Sequence, residues 1–173
     1  MSGLTKIETR NEVSLGIGIE NGIPLIDRGR VYLVREKRME KTIRLLQDFD
    51  YSGAATLCVS RTHPDLLRER LPGSKIEAFW LSERSGDNNI SPDQLHKILH
   101  RINHFLMDTE NAVIMFDGIE YLTLFNDFQK VQMFVEEVND MIMTSESILL
   151  MPVDPEALDG RSIARISRYT EII

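Results

Sequence analysis

Residues 113–122 read VIMFDGIEYL, and the reading of this stretch decides the fold. Val113, Ile114, Met115 and Phe116 run without a polar break into Asp117, followed by Gly118 and a second carboxylate at Glu120. A short, wholly apolar run has no wet side. It reads as a strand buried on both faces of a parallel sheet, delivering its acid to the sheet's edge.

Working outward, the same signal recurs in VYLV (31–34), AATLCVS (54–60), IEAFWL (76–81) and SILLMPV (147–153). Helical periods lie between these runs. Met39, Ile43, Leu45, Leu46 and Phe49 form one apolar stripe; Thr62-His63-Pro64-Asp65 offers a cap and first-turn proline for a helix to Leu71. Ser91-Pro92-Asp93-Gln94 reads as a capping box opening a helix striped by Leu95, Ile98, Leu99, Ile102, Phe105 and Leu106. A long helix from Asn126 turns Phe128, Val131, Phe134, Val135, Val138, Met141 and Ile142 inward. ERSGDNN (83–89) reads as a polar loop, and ARISRYTEII as a helix end or a last strand. Near the N-terminus, apolar alternation on both sides of Glu20-Asn21-Gly22 predicts a β-hairpin or arm over 13–27.

Strands alternating with helices predict an α/β three-layer sandwich around a mainly parallel sheet. Residues 30–173 form one domain in this reading, and residues 1–29 an N-terminal arm or hairpin. Ligands of such sheets sit beyond the carboxyl ends of the strands. Those ends carry Arg35-Glu36-Lys37, Ser60-Arg61-Thr62-His63, Ser82-Glu83, Asp117 to Glu120, and Asp154.

Charge narrows the partners. Residues 1–105 hold 16 Lys and Arg against 14 Asp and Glu, whereas residues 106–160 hold 12 acids and one base, Lys130. A surface this acidic repels phosphate backbones, so no nucleic acid is expected. It is a solvated face or a docking surface for a basic partner, the Arg/Lys-rich stretch 28–44 of a second copy included. No apolar run approaches the ~20 residues needed to cross a bilayer, and MSGLTKIETRNEV lacks the apolar centre of a secretory signal. The one cysteine, Cys58, sits in an apolar run and reads as a buried small hydrophobe. A cytoplasmic protein without membrane contact is expected.

An acid at a strand tip raises the question of a phosphate-binding loop. The motif G-x-x-x-x-G-K-[ST] belongs between the first strand and its helix. Here the sequence is Arg35-Glu36-Lys37-Arg38-Met39-Glu40-Lys41-Thr42. Lys41-Thr42 stands in the motif's Lys-Thr place, but Arg35 and Glu40 fill both glycine positions. The loop turns its N–H groups inward through positive φ, which costs other residues roughly 1–2 kcal/mol each. Glu36 and Glu40 also set negative charge beside any polyphosphate. The loop is absent, Lys41-Thr42 is a coincidence or a relic, and neither ATP hydrolysis nor a cofactor is expected.

The order of elements nevertheless resembles the RecA-type core of P-loop ATPases. The words SRTHPDLLRERL, FWLSERSGDNNISPDQL, VIMFDGIEYLTLFNDFQKVQMFVEEVNDMI and LLMPVDPEAL resemble an uncharacterised archaeal domain family. Its marks are the D-G-I-E-Y-L word and a late P-V-D-P, and the likeness spans residues 30–158. The resemblance implies an archaeal cytosolic protein whose relatives stand beside sensory or response-regulator domains. It implies no activity and carries over no catalytic residue.

The candidate residues follow from this frame. Arg61 and Asp117 end neighbouring strands in a RecA-like order, as a structural ion pair or as a ligand site. Arg61, His63, Lys37 and Lys41 supply cations for a small anionic ligand or a nucleotide, with Asp117 and Glu120 as acids at the same edge. Asp117 also reads as a cap for the following helix. Tyr121 and Phe125, with Glu136, Glu137 and Asp140, read as contact surfaces for a protein partner or for self-association as a homodimer. His96, His100 and His104, at i, i+4, i+8, point to solvent and would bind a transition metal only adventitiously. The reading that unites these features is a non-catalytic regulatory or adaptor domain of a signalling pathway. The alternative is a sensor of a small anion or nucleotide.

Overall fold

The computed structural model describes residues 6–9, 12–15 and 26–173. Its strands are β1 (Lys6–Thr9), β2 (Glu12–Leu15), β3 (Arg30–Arg35), β4 (Ala55–Ser60), β5 (Ile76–Leu81), β6 (Asn89–Ile90), β7 (Ala112–Asp117), β8 (Ile148–Val153) and β9 (Glu171–Ile172). Its α-helices are α1 (Glu40–Tyr51), α2 (Pro64–Arg70), α3 (Leu95–Asp108), α4 (Ile119–Phe125), α5 (Phe128–Ser145) and α6 (Gly160–Ile166). A short 3-10 turn, Ser167–Tyr169, leads into β9.

Seven strands form one sheet in the order β6-β5-β4-β7-β8-β3-β9, and every pairing in it is parallel. β8 lies between the first strand of the domain, β3, and the acid-tipped β7. This is the RecA-like order expected from the sequence. β1 and β2 pair antiparallel as a separate two-stranded sheet, with Lys6 opposite Leu15 and Thr9 opposite Glu12. The expected Asn21-Gly22 turn lies outside the described residues.

Successive residues of a strand face opposite ways, and both faces of this sheet are dry. Val31, Leu33, Leu57, Val59, Ile114, Phe116, Leu149 and Met151 pack on one side, against Ile98 and Ile102 of α3 and Val131, Val135 and Val138 of α5. Tyr32, Val34, Cys58, Val113, Met115, Ile148 and Leu150 pack on the other, against Ile43, Leu46 and Phe49 of α1 and Leu67 of α2. Cys58 is fully buried, and burial pushes its thiol up to about 12, so it stays protonated and unreactive.

Two local readings need correcting. Ser91-Pro92-Asp93-Gln94 does not cap α3. Ser91 Oγ donates to Asp93 Oδ1 at 2.5 Å and the Gln94 N–H to the Ser91 carbonyl at 3.0 Å, which closes a turn before Leu95 begins the helix. The polar loop over 83–89 ends in a strand, because Asn89 and Ile90 pair with Trp80 and Leu81. The long helix begins at Phe128, with Asp127 in front of it, two residues from its expected start near Asn126. By contrast His63 and Pro64 open α2 as expected: His63 Nδ1 accepts the Asp65 N–H at 3.2 Å.

Candidate functional site

The carboxyl ends of β3, β4, β7 and β8 surround a cleft of about 170 Å³. Glu36, Lys37, Met39, Arg61, Asp117, Glu120, Pro152, Asp154 and Ala157 line it. The fold thus gathers Lys37, Arg61, Asp117 and Glu120 from the sequence candidates and leaves out His63 and Lys41. His63 is spent on the α2 cap and stands edge-on to Trp80, with ring centroids 5.0 Å apart. The Trp80 indole N–H in turn donates to the Arg61 carbonyl at 2.9 Å.

Parallel pairing of β4 with β7 sets Ser60, not Arg61, opposite Asp117. A shift of one residue turns a side chain to the other face. Ser60 Oγ therefore donates to Asp117 Oδ2 at 2.7 Å, and the Arg61 backbone N–H meets the Asp117 carbonyl at 3.2 Å. The Arg61 guanidinium lies over the Tyr121 ring, 4.5 Å from its centroid. Among the described residues no Arg61–Asp117 ion pair forms, which corrects that reading. Burial raises the Asp117 carboxyl above its ordinary value, against the lowering pull of the Ser60 hydrogen bond and the Arg61 charge.

Asp117 does not cap α4 either. Gly118 precedes the helix, and no side chain caps it. A Cβ on Gly118 would stand 2.5 Å from Leu81 Cδ1, so a side chain there would have to push the buried Leu81 aside. In the first turn of α4, Glu120 Oε1 accepts the Asp154 N–H at 2.6 Å. The D-G-I-E-Y-L and P-V-D-P words therefore meet in space, the first clamping the chain end of the second. Burial raises the Glu120 carboxyl, partly offset by that hydrogen bond.

The loop between β3 and α1 holds the residue that sequence reasoning did not single out. Glu36 Oε2 accepts the Lys41 N–H at 2.7 Å; Glu36 Oε1 accepts the Thr42 N–H at 2.9 Å and a short hydrogen bond from Thr42 Oγ1. Met39, immediately before α1, takes the left-handed conformation (φ 55°) and supplies no side-chain cap. A carboxylate from three residues upstream thus caps the helix. The sequence signal was an acid in a loop that reaches back to a Lys-Thr pair.

In charge, the cleft holds more acids than bases. It presents the carboxylates of Glu36, Asp117, Glu120 and Asp154 to two cations, and Lys37 Nζ is already 3.1 Å from Glu156. Its volume also falls below the roughly 300–1,000 Å³ of ordinary small-molecule sites. Elsewhere, His96, His100 and His104 are exposed along α3, and His104 Nδ1 lies 3.3 Å from Asp108. Among the described residues no group of three or more His, Cys, Asp or Glu is placed to hold a metal ion, and no helix is long and apolar enough to cross a membrane.

These features define a class: an α/β domain of RecA-like order whose strand-end site has no glycine-rich phosphate loop. The chain belongs to the DUF835 family, described as a protein of unknown function, which matches residues 35–169. No curated protein matches it. Among solved structures it is similar to a protein of Pyrococcus horikoshii OT3, at 14% identity over 84% of this chain and 80% of that one, with a TM-score of 0.57. It is likewise similar to the flagellar accessory protein FlaH from Methanocaldococcus jannaschii, at 16% identity over 84% of this chain and 70% of that one, also with a TM-score of 0.57. At these identities the likeness is one of fold.

Proposed function

We propose that this chain is a non-catalytic adaptor or regulatory domain that works through protein contacts in an archaeal signalling pathway. The observation that carries this reading is the outer side of α4. Ile119 and Leu122 are fully buried, yet Leu124 on the same short helix is 76% exposed. Beside it Tyr121 and Phe125 meet edge to face at 5.0 Å, with Arg61 held over Tyr121. An apolar residue flanked by ordered aromatics and an arginine has the make-up of a contact hot spot. The exposed Glu136, Glu137 and Asp140 of α5, on which α4 packs, supply charge that favours a basic partner. The family resemblance read from the sequence supports this setting, with a cytoplasmic location.

The anion-sensor reading loses ground to the carboxylates of the cleft. To test the adaptor, the chain is used as bait in an archaeal extract, alongside Leu124→Asp and a Glu136→Lys/Glu137→Lys double variant. Far-ultraviolet dichroism checks that each variant is folded. A partner retained by the wild type should be lost from both variants. One held equally by all three would refute these surfaces. Saturable micromolar binding of Mg-ATP in calorimetry would refute the non-catalytic reading itself.

A further inference from the structure

In a strand–loop–helix turn of this order, a helix N-terminus offers unpaired N–H groups and the positive end of its dipole to an anion. The second and third residues of α1, Lys41 and Thr42, are the usual donors, and here both N–H groups already hold an anion. It is the Glu36 carboxylate, which also takes the Thr42 hydroxyl. In a phosphate loop the hydroxyl of the residue after the lysine ligates magnesium. Here it is consumed by a carboxylate of the same chain. Thr42 is fully buried, so Glu36 satisfies a donor that water does not reach.

We propose that Glu36 is the chain's own permanent ligand for this anion site. Its carboxylate stands where a phosphate would stand, closes the turn to nucleotides, and holds it in one conformation without them. The inference rests on the non-catalytic reading above and gives it a mechanism. In this chain the donors of the turn are satisfied from within, with no nucleotide needed to fill them. The run Arg35, Lys37, Arg38 and Lys41 then has a local counter-charge in Glu36, at the point where an incoming phosphate would otherwise be drawn.

Removing the carboxylate vacates the site and leaves its donors in place. Thermal unfolding of the wild type, Glu36→Ala and Glu36→Gln is followed in pyrophosphate and in sodium chloride of equal ionic strength. The wild type should melt at the same temperature in both. Glu36→Ala should melt about 4 °C or more below it in chloride and recover part of the loss in pyrophosphate. If Glu36→Ala does not fold in chloride, recovery of its folding in pyrophosphate carries the same comparison; Glu36→Gln, whose amide still fills the site without the charge, should melt between Glu36→Ala and the wild type. A Glu36→Ala variant that melts with the wild type, or gains nothing from pyrophosphate over chloride, overturns the role of Glu36 and leaves the adaptor reading standing. A wild type that is itself stabilised by pyrophosphate, or that binds Mg-ATP, overturns both.

Discussion

Asp117 shows how one position of register settles the chemistry of a strand end. Because Ser60 rather than Arg61 faces it, its carboxylate gains one hydroxyl and, among the described residues, no ion pair, and burial outweighs the pull of the Arg61 charge. The sign of the pH dependence follows. A carboxyl whose folded value is raised binds protons more readily in the native state than in the unfolded chain. Its contribution is therefore favourable at low pH and is lost as pH rises from the ordinary 3.8 through the folded value. Asp117→Asn keeps an oxygen for Ser60 and removes the charge. Relative to the wild type, the variant should gain stability steadily across that window and hold the gain at neutral pH. Urea unfolding at intervals between acid and neutral pH measures the difference. A difference running the other way would mean that a cation, Arg61 first among them, pairs with Asp117 in solution.

At the scale of elements, α5 ends without the residue that ends helices most cheaply. Glu146 takes the left-handed conformation (φ 54°, ψ 31°), and the Ser147 N–H reaches back to the Ile142 carbonyl at 3.2 Å. That conformation costs a residue with a Cβ roughly 1–2 kcal/mol, and a carboxylate at a helix C-terminus opposes the dipole. Glycine removes both costs but adds freedom to the unfolded chain. Glu146→Gly should therefore stabilise by a net ~0.5–1 kcal/mol, read as a rise in the urea midpoint with an unchanged slope. A fall would show that the Glu146 side chain makes a contact worth more than the strain. Elements of this kind were legible to different degrees. Strands such as VYLV and VIMF announce themselves because both sides of each are dry, and α3 and α5 because their apolar stripes repeat. Asn89–Ile90 is too short to carry a period. Ser91 to Gln94 has the composition of a cap, but its hydrogen bonds are spent within its own turn. In the site, the sequence placed Arg61, Lys37, Asp117 and Glu120 at one sheet edge because strand ends can be read from patterns. It could not show that Arg61 turns to Tyr121, nor that Glu36 caps α1. Both depend on register and loop path.

For the whole molecule, the sheet carries a dry core on each face, with α1 packed on one and the acidic α5 on the other. Where the domain begins is a question for the core on the α1 face. Ile26 is only 2% exposed in that core, the Asp27 N–H donates to Tyr32 Oη at 2.6 Å, and the Gly29 N–H meets the Ser147 carbonyl at 2.6 Å. A boundary at residue 30, drawn where strand alternation starts, cuts all three away. Chains beginning at Ile26 and at Arg30 should therefore differ. The shorter one loses a buried isoleucine, worth about 2–5 kcal/mol as a side-chain deletion, and leaves the Tyr32 hydroxyl without the Asp27 N–H. Its urea midpoint should drop accordingly while the longer chain unfolds in one cooperative step. Equal midpoints would put the structural boundary back at residue 30 and make Ile26 a passenger on the core.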